Sequence, residues 1–332
     1  MRTNTVLLTS ALIIGTIFIS GCGSNGSTTD VIDGTSVTTT TSDSTIDITN
    51  VVFDERSADC ADYVNGYTAS VLDIGRSLGF SADIVVTNDD DSCTLTSNNI
   101  PNHDFNDASA SFATLVSEVS QAFAIPRNAT LAATPTPLSQ QTYNGIMLNG
   151  VPIDILSAGC YSPSSPGADA DGNVAIGCTV NDGWLLDPLS THNHFGADAH
   201  NAHTQPNGSY HYHGNPNAMF DEFAGPNGSP AIGFAADGFP IYGCYFYDQD
   251  TGTVRKALSG YTLKPGLRPA GASNPDGNYD GSYRDDWEFT DAGDLDECNG
   301  METDGQYGYY VIDAYPWILS CFSGTPHESF NK

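Results

Sequence analysis

The stretch Gly208-Ser209-Tyr210-His211-Tyr212-His213-Gly214 is the one around which this chain is organised. Tyrosine and histidine alternate in it, and successive side chains of an extended strand point to opposite faces. The alternation predicts a strand with His211 and His213 on one face and both tyrosines on the other. Two imidazoles would then lie side by side.

Six of the eight histidines of the chain lie within residues 191–214. His192 and His194 repeat the alternate spacing of the strand pair. His200 and His203 are three positions apart, a spacing that brings side chains together on a helical turn or a tight loop. The sequence therefore predicts that three histidine pairs approach one point.

Neutral imidazole is the commonest protein ligand for zinc and copper, and such a site needs three or four ligands. Asp198 is predicted to ligate the metal or to accept the second ring proton of a histidine. Without a thiolate, the set suits copper(II) or zinc better than copper(I). The candidate metal ligands are His192, His194, His200, His203, His211, His213 and Asp198. The alternative is that these histidines are structural and hydrogen-bond to neighbours in a β-rich core.

The first residues indicate export. Val6 to Ile19 is an apolar run preceded by Arg2, and it ends in Ile19-Ser20-Gly21-Cys22, which resembles a bacterial lipobox. We expect a lipoprotein signal peptide over residues 1–21 and a lipid on Cys22, which anchors the protein to the bacterial membrane. The residues after Cys22 favour the outer membrane, with a periplasmic or a surface-exposed protein. An ordinary secretory signal is the alternative.

The composition of the chain after the predicted signal peptide changes near residue 50. Residues 22–50 are nearly all Ser, Thr, Gly, Asp and Asn, which predicts a disordered tether. Residues 51–332 are long enough for one large domain. The net charge of −30 argues against nucleic acid as a partner, and it leaves a protein or glycan partner unidentified.

The fold class predicted for residues 51–332 is mainly β: a single β-rich, loop-heavy domain with a few short helices and disulfides. Glycine and proline are abundant and helical periodicity is scarce. Apolar spacing suggests a short helix in 61–80, with irregular strand and turn as the alternative, and another helix in 112–123. Residues 143–151 and 235–247 are predicted to form two hairpins.

Cysteines of an exported protein are expected to form disulfides. Apart from Cys22, the candidates are Cys60, Cys93, Cys160, Cys178, Cys244, Cys298 and Cys321. Local bridges from Cys60 to Cys93 and from Cys160 to Cys178 are expected, and Cys321 pairs with Cys244 or Cys298. Because seven is odd, one cysteine stays outside these bridges.

Two acidic loops are candidates for calcium. Residues 169–173 form a weak candidate, because Asp and Asn are also common turn residues. Asp276, Asn278 and Asp280 reproduce the front half of an EF-hand loop, with Glu288 one residue beyond the position of the usual bidentate ligand. Calcium is therefore a possible cofactor, and an acidic surface loop is the alternative.

Several motifs in order resemble the YHYH-domain family of bacterial exported proteins, over about residues 95–325. They are Asn99-Ile100-Pro101-Asn102-His103, Leu148-Asn149-Gly150-Val151-Pro152-Ile153, the residues 201–214, Ala236-Asp237-Gly238-Phe239-Pro240-Ile241-Tyr242-Gly243 and the residues 293–300. The resemblance implies no particular reaction. Residues 305–311 echo the Tyr-His stretch and suggest an internal duplication, but Gly308 and Tyr310 stand where family members often carry histidines.

We therefore expect a lipid-anchored cell-envelope protein with a histidine-rich transition-metal site. One alternative is a calcium-stabilised surface module for adhesion, or for glycan or protein binding, with structural histidines. Another is a metal-dependent hydrolase or oxidase. The familiar hydrolytic motifs H-E-x-x-H and G-x-S-x-G are absent from the sequence, so it names no catalytic residue and leaves open whether the protein is an enzyme.

Overall fold

Short strands carry almost all of the regular structure, which confirms the predicted mainly β class. The structure, a computed structural model, describes residues 45–221 and 225–332. The predicted signal peptide, the Cys22 lipidation site and most of the tether lie outside these residues. Three 3-10 helices, Cys60–Tyr63, Arg284–Asp286 and Glu328–Phe330, are the helical segments of the described part. No helix in that part is both long and apolar enough to cross a membrane.

The strands of the described residues are, in chain order, β1 Ile46–Asp47, β2 Asn65–Asp73, β3 Leu78–Asn88, β4 Ser92–Ser97, β5 Gln121–Pro126, β6 Thr136–Pro137, β7 Gly145–Met147, β8 Pro152–Ile153, β9 Cys160–Tyr161, β10 Asn173–Val174, β11 Ala202–Thr204, β12 Tyr210–Tyr212, β13 Ala231–Ala235, β14 Pro240–Tyr242, β15 Tyr245–Asp248, β16 Thr253–Lys256, β17 Tyr261–Leu263, β18 Trp287–Phe289, β19 Gly300–Thr303, β20 Gln306–Tyr310 and β21 Cys321–Phe322.

A five-stranded sheet has the order β1-β2-β3-β4-β5. Its first strand lies inside the segment predicted to be a tether, because Ile46 and Asp47 pair in parallel with β2. The helix predicted within 61–80 is wrong. Burial in β2 alternates at Ala69, Val71 and Asp73, the two-residue period of a strand. The strand-and-turn alternative is the one the structure adopts.

The helix predicted for 112–123 is also wrong. Its backbone amides hydrogen-bond to distant segments, with Ser117 N–H donating to the Gly208 carbonyl and Val119 N–H to the Asn98 carbonyl. These long-range bonds replace the bonds four residues apart that a helix requires. The last residues of the segment belong to β5.

An eight-stranded sheet with the order β11-β12-β8-β7-β13-β14-β20-β19 holds the main core. The side chains of Tyr210, Tyr212, Phe234, Tyr309 and Tyr310 lie on its strands and are all almost completely buried. The remaining strands form four two-stranded sheets: β6 with β21, β9 with β10, β15 with β16, and β17 with β18. The described residues belong to one compact unit.

The two predicted hairpins are both present in the large sheet. The antiparallel pair β7–β8 turns at Gly150, and the pair β13–β14 turns at Gly238. Both glycines have a positive φ, 80° and 88°, which side chains with a Cβ rarely adopt. Contact is also tight, because a Cβ at Gly150 would lie 2.7 Å from Ser97 at the end of β4.

The predicted local disulfides are confirmed as Cys60–Cys93 and Cys160–Cys178. Of the two partners expected for Cys321, the structure selects Cys298. Cys244 is buried and lies outside these three bridges.

Candidate metal centre

Three of the predicted histidines meet at the β11–β12 hairpin. His203 of β11 lies directly opposite His211 of β12 in the antiparallel register. His213 follows β12 immediately and shares a strand face with His211 because it is two residues further on. The hairpin thus brings together His211 and His213, the pair predicted on one strand face, and His203 of the predicted pair His200 and His203.

The imidazoles meet through their Nε2 atoms. The Nε2 atom of His213 lies 3.1 Å from that of His211 and 3.0 Å from that of His203. Two ligand nitrogens at about 2.0–2.1 Å from one tetrahedral zinc ion are about 3.3–3.4 Å apart. The observed spacing is therefore close to that of three ligands of a single ion, and the three side chains form the three-histidine centre.

The three-histidine centre is built from neutral rings. Burial lowers the pKa of His211 and of His213 far below the usual value, and the neighbouring His203 ring lowers both further. Burial also lowers the pKa of His203. Because the rings are uncharged at neutral pH, their lone pairs are available to a metal ion.

One ligand is held in a defined tautomer by its second nitrogen. His203 Nδ1 lies 2.7 Å from the Phe195 carbonyl oxygen, which can only accept a hydrogen bond. The ring proton is therefore on Nδ1, and Nε2 carries the lone pair. This arrangement of a backbone carbonyl behind an imidazole is usual around protein metal sites.

The tyrosines of β12 anchor the opposite face of the hairpin. The Tyr210 hydroxyl donates to Asp198 Oδ2 at 2.7 Å, and the Tyr212 hydroxyl accepts from Asn149 Nδ2 at 2.9 Å. Tyr212 also lies 2.6 Å from His103 Nε2. Both hydroxyls are satisfied within the core, so the strand that carries His211 and His213 is fixed on its far side.

A family model described as "YHYH protein" matches residues 122–324. This chain belongs to the YHYH family. The matched region of this YHYH-family chain contains the whole three-histidine centre and all eight strands of the large sheet. No curated protein and no solved structure matches the chain.

The structure places the other predicted metal ligands elsewhere. His200 stacks on His103, with ring centroids 3.7 Å apart, and its Nδ1 lies 2.6 Å from the Pro216 carbonyl oxygen. His200 lies outside the three-histidine centre because it stands in the turn before β11, whereas His203 lies on the strand, so the two residues do not share a helical turn. His192 and His194 are exposed in the preceding loop and lie outside the three-histidine centre.

Asp198 stabilises the hairpin from the tyrosine side. Its carboxylate accepts hydrogen bonds from the Tyr210 hydroxyl and from the backbone amides of Asn106 and His200. Burial raises its pKa. The predicted role as a ligand or ring-proton acceptor is therefore replaced by a structural one.

A buried ion pair that the sequence reasoning missed lies next to the three-histidine centre. Asp154 follows Ile153, which pairs with Tyr212, so Asp154 projects from the sheet face that carries His211 and His213. Its Oδ2 accepts from Lys332 Nζ at 2.5 Å and from Gln205 Nε2 at 2.7 Å. Asp154 and Lys332 are 178 positions apart, so no local pattern indicates their contact.

Two acidic side chains of the predicted calcium loop are paired with an arginine. The Arg268 guanidinium lies 2.7 Å from Asp286 Oδ2 and 2.5 Å from Asp280 Oδ1, and it donates to the Asp276 carbonyl. Among the described residues, Asp276, Asp280 and Glu288 do not form a group at ligand distance from one ion. Asn278 lies in a backbone bridge to Leu267.

The weaker calcium candidate is a simple turn. Asp169 Oδ1 accepts from the backbone amides of Asp171 and Asn173, at 2.9 and 2.8 Å. Such Asx turns are the ordinary use of Asp in a loop.

Proposed function

We propose that this protein is a transition-metal-binding protein of the bacterial cell envelope, with His203, His211 and His213 as the ligands. The observation that carries the proposal is the meeting of three Nε2 atoms, in contacts of 3.0 and 3.1 Å, on a hairpin that buries His211 and His213 and half-buries His203. The lipobox-like stretch ending at Cys22 supports a membrane anchor in the envelope.

The physical argument concerns the protons of the three rings. A neutral imidazole carries one proton, and His203 holds its proton on Nδ1. Its Nε2 lone pair faces the Nε2 of His213, whose Nε2 also faces that of His211. A single proton on one Nε2 atom cannot hydrogen-bond to the Nε2 lone pairs of both other rings in good geometry. A metal ion can instead accept the Nε2 lone pairs of all three histidines.

Zinc or copper(II) suits this donor set. Imidazole is a borderline ligand that both ions accept, and among the described residues no cysteine lies at ligand distance from these three histidines. Calcium and magnesium prefer oxygen ligands. The proposed cofactor is thus one zinc or copper(II) ion per chain.

A metal-dependent hydrolase is the second candidate function. Three histidine ligands leave one tetrahedral position for water, which is the arrangement of catalytic zinc sites. The buried Asp154 carboxylate on the same sheet face supplies a group of the kind that accepts protons in such sites.

The test is the metal content of the exported, untagged protein, measured by inductively coupled plasma mass spectrometry without exposure to chelator. We expect about one equivalent of zinc or copper. Changing His211 and His213 together to Ala should abolish it, and the matched double change of His192 and His194 to Ala should leave it unaltered. Thiol titration verifies that the disulfides of each variant have formed.

An unaltered metal content in the His211 and His213 double variant would contradict the proposed centre. The anchor has its own test, because Cys22→Ser should release the protein from membranes and abolish labelling by a radioactive fatty acid. Persisting label would contradict lipidation at that residue.

A further inference from the structure

The two halves of the eight-stranded sheet have the same topology. From the centre outward, the first half runs β7, β8, β12, β11, and the second half runs β13, β14, β20, β19. In each half the first pair is antiparallel, the second is parallel and the third is antiparallel. The halves join through the antiparallel pair β7–β13, so a pseudo-two-fold axis relates them.

The strand register gives the residue equivalences. Ile153 of β8 pairs with Tyr212, and Ile241 of β14 pairs with Tyr309. Both isoleucines end the matching motifs Asn-Gly-Val-Pro-Ile and Asp-Gly-Phe-Pro-Ile. Tyr309 is therefore the counterpart of Tyr212.

Side-chain hydrogen bonds follow the same equivalence. Tyr212 bonds Asn149 of the first motif, and Tyr309 donates to Asp237 at the same place in the second motif. The hydroxyl of Tyr307 donates to Asp296, just as that of Tyr210 donates to Asp198. These shared bonds identify the halves as copies of one structural unit.

The second half carries no histidine at the corresponding positions. His203 pairs with His211 across β11–β12, and the corresponding pair across β19–β20 is Met301 with Gly308. His213 corresponds to Tyr310. A histidine would not fit at position 308, because a Cβ at Gly308 would lie 2.5 Å from the Tyr242 ring.

In the second half of the sheet, the side chain of Arg56 contacts the counterparts of the first half's site residues. Arg56 Nη2 donates to the Tyr310 hydroxyl at 3.0 Å, and Arg56 Nη1 donates to the Ser229 carbonyl. The guanidinium carbon lies 4.1 Å from the centroid of the Tyr242 ring, in cation–π contact. Tyr310, the counterpart of His213, thus contacts a cation supplied by the chain itself.

The segments that bring basic side chains to the two halves are also equivalent. The Glu55 carbonyl accepts from Ala231 N–H, and the Phe330 carbonyl accepts from Tyr143 N–H at the corresponding sheet position. Arg56 then reaches Tyr242, and Lys332 reaches Asp154, the counterpart of Tyr242. Each half therefore receives one cation from a segment outside the repeated strands.

We propose that the second half of the sheet is an aromatic binding site for an organic cation of the guanidinium class, filled in the native protein by Arg56. Tyr242 supplies the ring face, and the Tyr310 hydroxyl and the Ser229 carbonyl supply acceptors for the N–H groups. Met301, Gly308 and Tyr310 make this half unsuitable for a metal ion, so within the described residues the two halves of the sheet would bind different cations, the first a metal ion and the second an organic cation. The assignment of the organic-cation site stands whether or not the first half binds metal.

The test uses Arg56→Ala, which empties the site, with ethylguanidinium as the probe. We expect the melting temperature of Arg56→Ala to fall, and about 10 mM ethylguanidinium chloride to recover at least half of the loss, because a ligand that binds only the folded state stabilises it. Sodium chloride at the same concentration is the salt control. Arg127→Ala, which breaks an ion pair with Asp59 elsewhere, is the matched variant that the probe should not rescue.

If Arg56→Ala does not fold, Arg56→Lys keeps the charge but loses the planar fork, and the probe should still raise its melting temperature. Equal responses of the Arg56 and Arg127 variants to the probe would overturn the proposal, as would no response in either Arg56 variant. Metal content measured on the same Arg56 variants should equal that of the wild type, so failure of this proposal is distinguishable from failure of the metal centre.

Discussion

The Nε2 atoms of His203 and His213 lie 3.0 Å apart on a hairpin in which all three candidate ligands come from a single stretch of eleven residues, 203–213. This spacing is close to that of two ligands of one ion, so the folded hairpin already holds the rings in position to bind a metal. A metal ion bound there is held by one hairpin, with the opposite face already fixed by tyrosine hydroxyls.

Metal removal should destabilise the protein. An ion that binds only the folded state adds about 2.7 kcal/mol at a hundred times its dissociation constant. We expect dialysis against a chelator to lower the melting temperature and zinc to restore it. The double change of His211 and His213 to Ala should abolish this response, whereas His200→Ala should retain it. A zinc response that survives in the double variant would place the ion elsewhere.

Lys332→Met should increase metal affinity by about tenfold. The Lys332 ammonium pairs with Asp154 beside the three-histidine centre, so it repels an incoming cation. Removing it also leaves the Asp154 carboxylate available to attract the ion. Competition titration with a zinc-binding dye measures the affinity. Lys256→Met, at the exposed ion pair with Asp313, is the control, and an unchanged or weaker affinity in Lys332→Met would refute the effect.

Asp187 should make the protein less stable as pH rises. Burial raises its pKa to about 6, so the folded chain holds this proton more tightly than the unfolded chain. The free energy of unfolding should therefore decrease between pH 4 and pH 7, by about 2 kcal/mol from this residue.

Urea denaturation of Asp187→Asn at both pH values checks this effect. Asn keeps a carbonyl oxygen for Trp317 Nε1, which donates to Asp187 Oδ1 at 2.9 Å, but it cannot ionise. The decrease in the free energy of unfolding between pH 4 and pH 7 should be smaller in Asp187→Asn by the contribution of Asp187. It should be unchanged in the exposed control Asp171→Asn. Parallel pH profiles for wild type and Asp187→Asn would contradict the assignment.

Arg268→Met should destabilise the protein by about 3–5 kcal/mol, because it leaves the fully buried Asp286 carboxylate without its partner. Calcium should not change the melting temperature of the wild type, since the guanidinium already neutralises this loop. Thermal unfolding with and without calcium measures both effects. A marked stabilisation of the wild type by calcium would instead support the acidic loop as an ion site.

Alternation predicted the shared face of His211 and His213, and the hairpins at Gly150 and Gly238 followed from turn residues. These features depend on neighbours along the chain. The choice of His203 over His200 depended on where β11 begins, which spacing alone does not indicate. Distant pairs such as Asp154 with Lys332, or Arg56 with Tyr310, leave no local pattern at all.

The two helix predictions failed for a related reason. Residues 61–80 and 112–123 have apolar spacings compatible with a helix. Residues 65–73 pair instead with the next strand, β3, and the amides of 112–123 bond to distant segments. Tertiary contacts override weak local preferences of this kind.

The Tyr-His strand β12 is buried on both faces, with His211 as enclosed as the tyrosines beside it. An ion seated among these rings is enclosed by the buried His211 and His213, whereas the third ligand, His203, is only half-buried. Its exchange with a chelator would therefore depend on movement of β11, the strand that carries His203.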